Sequence, residues 1–99
     1  MSNKMRPIHP GELLDDELEE LGLSASALAR YLAVPANRIT FILNGKRAIT
    51  ADTALRLAKF FGTTPEFWLN LQSDFDLKQA IKKSGKRIER EVLTSSEAA

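Results

Sequence analysis

The sequence predicts an all-α fold, and three observations support this prediction. Apolar residues recur at the 3.6-residue spacing of amphipathic helices in five successive segments. The segments are bounded by residues that favour helix ends, among them Pro10, Gly22, Ser24 and Gly62. No segment alternates apolar and polar residues with the period of a strand. The 99 residues fit one compact domain rather than two.

The first predicted helix opens at Pro10 and Gly11 and stops at Gly22. Its apolar positions, Leu14, Leu18 and Leu21, follow the helical period. The remaining surface carries only acidic charge, from Glu12, Asp15, Asp16, Glu17, Glu19 and Glu20. Such a surface is usually a solvated face, but it would also attract a basic protein partner.

The second and third predicted helices are separated by only two or three residues. Ser24 caps the second helix, whose inner face holds Ala25, Leu28, Ala29 and Leu32. Pro35 suits the first turn of the third helix, because a proline there loses no intrahelical hydrogen bond. In the third helix Ile39, Ile42 and Leu43 face the core. The opposite side is polar with one aromatic residue, and consists of Asn37, Thr40, Phe41 and Asn44 with Arg38 on the flank.

Thr50 caps a fourth helix that runs through Phe61, and Thr64-Pro65-Glu66 opens a fifth. The fifth carries two apolar faces: Phe67, Trp68, Leu71 and Phe75 form one, and Leu77, Ala80 and Ile81 lie roughly opposite. Two apolar faces need two partners, so either a second copy of the chain covers one, or the helix bends near Ser73-Asp74. We therefore expect a homodimer whose interface contains Phe67, Trp68, Leu71, Phe75, Leu77 and Ile81.

Charge is segregated along the chain although the net charge is only +1. Residues 30–59 hold six basic residues against Asp52 alone. A second basic block, which spans residues 78–90, either touches flanking phosphates or keeps the tail soluble. We expect a flexible N-terminus at residues 1–8, a domain at residues 9–84, and a partly disordered basic, then Ser/Glu/Ala-rich tail at residues 85–99.

Two helices joined by a short turn, the second with a polar outer face and basic flanks, are typical of the helix-turn-helix that enters the DNA major groove. The third helix would then present its N-terminal half to base edges through Pro35, Ala36, Asn37, Arg38, Thr40 and Phe41. Asn37 suits adenine, Arg38 suits guanine or a phosphate, and Phe41 suits a thymine methyl group. The hydroxyl, amide and cationic groups at helix ends and in the following loop suit phosphate oxygens, and belong to Ser24, Asn44, Lys46, Arg47 and Thr50.

About three quarters of the chain resembles a known family. The stretch HPGELL at residues 9–14, and VPANRI, NGKRAITADTALRLA and PEFWLNLQ within residues 21–72, resemble the HigA-type (VapI-like) antitoxins of the Cro/C1-type, lambda repressor-like helix-turn-helix superfamily. The resemblance implies a homodimer that binds an inverted-repeat operator, represses its own operon and neutralises a small basic, HigB-like mRNA endonuclease toxin. Two positions depart from the common pattern: Ala25 replaces a glutamine that contacts a phosphate, and Phe41 replaces a polar residue.

Other classes of function are disfavoured by composition. The chain has no cysteine and one histidine, His9, so we expect no metal site, no cofactor, no small-molecule substrate and no enzymatic activity. His9 precedes Pro10 and is interpreted as a hydrogen-bond partner at the helix entry. A toxin would contact the acidic face at Asp15, Asp16, Glu19 and Glu20.

No apolar run is long enough to span a bilayer, so we expect no membrane partner and a cytoplasmic location. Two alternatives to the antitoxin remain open at this stage. One is a stand-alone repressor without a toxin, and the other is a helical protein-interaction module that binds no DNA.

Overall fold

The computed structural model describes residues 6–99, and this part of the chain is built from helices without strands. The elements are α1 (Pro10–Leu21), α2 (Ala25–Leu32), α3 (Ala36–Leu43), α4 (Ala51–Phe61), α5 (Pro65–Glu91) and a short α6 (Ser95–Ala98). The all-α prediction and the five predicted helices are confirmed. Residues 1–5 of the predicted flexible N-terminus lie outside the described residues.

The predicted capping residues begin and end the helices as expected. The side-chain oxygens of Ser24, Thr50 and Thr64 each accept a hydrogen bond from the backbone N–H three residues later, at 3.1, 3.5 and 3.2 Å. Gly22 and Gly62 end α1 and α4 in the left-handed conformation, with φ of 66° and 74°. Local sequence therefore sets these five helix ends.

Three residues, Ala33–Pro35, connect α2 to α3. Ala33 adopts a left-handed conformation with φ of 59°, which turns the chain sharply after α2. The N–H of Val34 donates back to Ala29 O at 3.0 Å and closes this turn. Pro35 is the N-cap of α3 rather than part of its first turn, because its ψ of 145° is extended. The helix begins one residue later than the sequence predicts.

The core lies where α1 to α4 meet the first half of α5. Leu14, Leu28, Ile39, Ile42 and Leu57 are fully buried in it.

Trp68 also belongs to this core, and this corrects one of the predicted dimer residues. It is 1% exposed, and its indole N–H donates to Thr63 Oγ1 at 2.9 Å. A side chain that is already enclosed by its own subunit has no surface left for a partner. Its apolar spacing could not distinguish a core position from an interface position.

The second half of α5 leaves the domain as one unbroken helix. Its 27 residues span about 40 Å at 1.5 Å per residue, and the molecule measures 54 Å along its longest axis. The helix continues to Glu91, where the sequence predicts a tail from residue 85. Lysine, arginine and glutamate favour helix, and Arg87 pairs with Glu91 one turn later at 3.8 Å. None of the helices in residues 6–99 is long and apolar enough to cross a membrane.

Candidate nucleic-acid interface

The two faces of α3 differ as the sequence predicts. Ile39 and Ile42 are fully buried on the inner side. Asn37 is exposed on the outer side, and Phe41 leaves 45% of its surface open to solvent. An aromatic side chain so exposed on a helix with a filled inner face is available for contact with another molecule. The candidate base-reading residues Pro35 and Ala36 are exposed beside them, and Thr40 is half-buried.

The C-terminal end of α3 rests on the first turn of α1. A Cβ atom at Gly11 would lie 2.0 Å from the carbonyl oxygen of Ile42, far inside the contact distance of two such atoms. Only glycine lets the two helices approach this closely. Gly11 therefore sets the position of α3 relative to α1, a role that the sequence did not predict beyond the opening of a helix.

His9 joins α1 to the loop that follows α3. Its Nδ1 accepts a hydrogen bond of 2.9 Å from the N–H of Gly11, which confirms the predicted role at the helix entry. The ring packs edge-on against Phe75 of α5, with 4.9 Å between ring centroids. Burial lowers the pKa of His9, although Asp76 and a hydrogen bond with the backbone of Arg47 act in the opposite direction. The imidazole is thus favoured in its neutral form.

The loop between α3 and α4, residues 44–50, is held at both ends. After Gly45, whose φ is 72°, the N–H of Lys46 donates to Phe41 O at 2.8 Å and folds the loop back on α3. At the far end Ile49 is buried, and its N–H donates to Gln72 Oε1 of α5 at 2.8 Å. The candidate phosphate contacts Asn44, Lys46 and Arg47 are therefore exposed on a constrained loop.

Gln72 is a positioning residue that sequence reasoning missed. It is 6% exposed, and its Nε2 donates to Asp76 Oδ1 at 3.0 Å while its Oε1 holds Ile49. The only signal in the sequence is a polar residue next to Leu71 on the buried stripe of α5. Which backbone group it binds depends on how the loop approaches α5.

The remaining candidates stand at the N-termini of α2 and α4. Ser24 and Thr50 are exposed, and each accepts a hydrogen bond from its own helix. The Ser24 hydroxyl still has its own hydrogen to donate, whereas the Thr50 hydroxyl donates to Thr53 Oγ1 at 3.4 Å. Because the first N–H groups of a helix also point outward, both helix ends are suited to phosphate oxygens.

Arg38 differs from the other candidates because an acidic side chain of another helix holds it. Its side chain is 23% exposed, and Nη1 donates to Asp52 Oδ2 in the first turn of α4. Arg56 Nε donates to the same oxygen at 2.9 Å. Hydrogen bonds from Arg56 and then Arg38 hold the pKa of Asp52 below its usual value. The sequence did not predict this pairing, since α3 and α4 meet only in the folded chain.

The acidic residues of α1 form a separate surface. Asp15, Asp16, Glu19 and Glu20 are all exposed. Glu12, at the start of the helix, is paired with Arg6 at 2.9 Å. The predicted toxin-contact residues are therefore accessible to a partner.

The fold and this surface define a helix-turn-helix protein: α2 and α3 are the two helices of the motif, and α3 presents the exposed face. The chain belongs to the helix-turn-helix family, which matches residues 14–68, and within it to the HigA-type, VapI-like antitoxins. It is 53% identical over 79 residues to virulence-associated protein I of Dichelobacter nodosus. The aligned residues cover 79% of this chain and 73% of that protein.

Two solved structures are similar over nearly the whole chain. An addiction module antidote protein of the HigA family from Coxiella burnetii has 69% identity and a TM-score of 0.89, with 91% of this chain and 99% of that chain covered. The Pseudomonas aeruginosa antitoxin HigA, solved with the higBA promoter, has 47% identity and a TM-score of 0.88, with the same coverage of both chains. At these identities the similarity covers the amino-acid sequence as well as the fold.

Proposed function

We propose that the chain is a sequence-specific DNA-binding antitoxin that neutralises a HigB-like mRNA endonuclease toxin and represses its own operon. The observation that carries the proposal is the exposed outer face of α3, with Asn37 and Phe41 open to solvent and Ile39 and Ile42 buried behind them. Its membership of the HigA-type family supports the same function. The proposed role is binding, without a catalytic step, in the cytoplasm where operon DNA is found.

The contacts with DNA divide into two kinds. Asn37, Arg38, Thr40 and Phe41 read base edges from the major groove, with Pro35 and Ala36 at the start of the same helix. Phosphate contacts come from the helix ends and the loop, at Ser24, Asn44, Lys46, Arg47 and Thr50. The first set supplies discrimination, and the second supplies affinity that falls with salt.

A homodimer matches an inverted-repeat operator, because two-fold symmetry places the two α3 helices about 34 Å apart in successive major grooves. The exposed apolar stripe on the outer half of α5 suits the contact between the two copies. Leu77, Ile81 and Ile88 are 54%, 42% and 49% exposed, and they recur at helical spacing. Phe67 is also exposed, whereas Leu71 and Phe75 are half-buried against their own subunit. We therefore place the centre of the interface further along α5 than the sequence predicts.

The toxin is expected to contact the acidic face of α1. A small basic protein is attracted to four exposed carboxylates on one helix, and this attraction mainly speeds association. The contact residues proposed are Asp15, Asp16, Glu19 and Glu20.

The first experiment is footprinting on the DNA upstream of the protein's own gene, with and without the co-expressed toxin. It tests the operator sequence, the two-fold symmetry of binding and the effect of the toxin on DNA binding. Two protected half-sites in adjacent turns of the duplex are expected.

Affinity capture of the tagged protein from its own host tests the toxin partner. If no small basic protein is captured, the stand-alone repressor is favoured.

Fluorescence anisotropy with operator and random duplexes at two salt concentrations tests the binding itself. Two variants are compared. Lys46→Ala should weaken binding to both duplexes and reduce the salt dependence of binding by about one charge. Asn37→Ala should weaken binding to the operator only. Undetectable binding at low salt favours the protein-interaction module.

A further inference from the structure

Asp52 is the one acidic residue among residues 30–59, and it lies beside the surface proposed to meet DNA. Its side chain is 56% exposed in the first turn of α4. A carboxylate near a phosphate backbone is repelled by it, so Asp52 works against sequence-independent affinity. Thr50 already caps α4, so Asp52 is not needed as its N-cap, although a carboxylate in the first turn also favours the helix dipole.

The contacts of Asp52 link three helices. Its Oδ2 accepts from Arg38 of α3 and, at 2.9 Å, from Arg56 of α4. Arg56 Nη1 in turn donates to the carbonyl oxygen of Leu32, the last residue of α2, at 2.8 Å. The carboxylate therefore connects the α3 guanidinium to the end of α2 through one further side chain.

The pairing restricts Arg38 without using up its donors. A guanidinium group has five N–H donors, and Asp52 accepts from Nη1. The donors that remain are enough for a bidentate contact with the O6 and N7 atoms of guanine. A long side chain loses conformational entropy when it is fixed, and here that ordering takes place on folding rather than on binding.

We propose that Asp52 is a positioning residue for base recognition, which orients the Arg38 guanidinium towards the major groove and gives up phosphate affinity in exchange for discrimination between sequences. This inference rests on the proposed function, because it requires α3 to be the helix that reads bases. Arg56 supports the arrangement from behind, since it holds both Asp52 and the end of α2.

The test compares Asp52→Asn with the unmodified protein on two duplexes of equal length, the footprinted operator and a random sequence. Removal of the negative charge should raise affinity for random DNA, while the weaker hydrogen bond that a neutral amide oxygen accepts from Arg38 should loosen its orientation and lower affinity for the operator. We expect the ratio of the two affinities to fall by at least about 5-fold, the lower limit for one good base contact. Glu66→Gln, the same loss of charge at the matching first-turn position of α5, is an exposed control and should leave the ratio unchanged.

The direction of the change separates this role from three others. If both affinities fall together, Asp52 only supports the fold. If both rise equally, it acts only through its charge. If operator affinity rises more than random affinity, Asp52 withholds Arg38 from DNA rather than presenting it. Each of these three results overturns the proposal.

Arg38→Ala distinguishes failure of this inference from failure of the proposed function. We expect it to lower the affinity ratio about 5- to 150-fold, and Asp52→Asn should lower the ratio no further in its background. If Arg38→Ala leaves the ratio unchanged, base reading by Arg38 is wrong, and the inference fails with it. If Arg38→Ala lowers the ratio but Asp52→Asn does not, the inference alone fails.

Discussion

The backbone N–H of Ile49 donates to the side-chain oxygen of Gln72 across 23 residues of sequence, at 2.8 Å in a buried setting. This contact ties the loop that carries Lys46 and Arg47 to the long helix α5. Phe75 of the same helix packs edge-on against His9, which precedes α1. The surface proposed to meet DNA is therefore supported from beneath by α5.

Replacement of Gln72 by leucine should weaken both stability and operator binding. The leucine keeps most of the volume but leaves the buried N–H of Ile49 without a partner, which costs about 1–3 kcal/mol. Urea unfolding and anisotropy with operator DNA measure the two effects. Gln79→Leu, an exposed position on the same helix, is the matched control and should change neither. Equal stabilities for the two variants would contradict the role of Gln72.

Gly11→Ala should destabilise the protein by about 1–3 kcal/mol or more, because the added Cβ collides with the carbonyl oxygen of Ile42 at 2.0 Å. Thermal unfolding followed by circular dichroism measures the loss. Gly85→Ala provides the opposite case within α5, where the nearest atom is Ile81 Cγ2 at 3.4 Å. That substitution should be neutral or stabilise by about 0.5–1 kcal/mol through helix propensity. A stable Gly11→Ala variant would mean that α1 and α3 are not in close contact.

Stability should fall as the pH drops below about 6.5, the ordinary pKa of histidine. Burial lowers the pKa of His9 in the folded state, so the unfolded chain takes up the proton first. The loss therefore begins near the unfolded-state pKa and continues until the pH reaches the lower folded-state value. Protonation would also remove the acceptor that holds the N–H of Gly11.

Urea midpoints between pH 7.5 and 5.5 test this prediction against His9→Asn. The chain has a single histidine, and the ordinary pKa values of its carboxyl groups lie below this range. The variant should be less stable at pH 7.5 but should show a flatter profile. An unchanged slope in the variant would assign the pH dependence to another group.

Ile81→Glu should convert the proposed homodimer to a monomer, because a carboxylate would be buried in the apolar contact between the outer halves of α5. Sedimentation velocity measures the oligomeric state, and affinity for the operator should fall when the dimer is lost. Gln79→Glu introduces the same charge two residues away and should leave the dimer intact. A dimeric Ile81→Glu variant would move the interface to another surface. Circular dichroism controls for folding, and both positions are exposed in the single subunit.

Much of the fold can be predicted from local sequence. Most helix boundaries follow from capping serine, threonine, glycine and proline residues, although α3 begins one residue later and α5 ends later than predicted. The inner faces of α1 to α4 follow from helical spacing. Phe41 and Asn37 are placed outward by the same argument, because a helix with a full inner face must turn its other residues to solvent. Local sequence is not sufficient where a residue's position depends on the packing of two separate segments. The periodicity of α5 identifies two apolar faces but does not assign Trp68 to the core rather than to an interface.

The amino-acid sequence by itself determined the helices, their exposed and buried sides and the family to which the chain belongs, since these depend on neighbouring residues and on recurring motifs. Only the tertiary structure decided the partners of particular polar groups: Asp52 with Arg38, Gln72 with Ile49, and the contact of Gly11 with Ile42. Spacing along a helix limits the direction of a side chain. The donor or acceptor that it meets depends on how separate helices pack, and no local pattern contains that information.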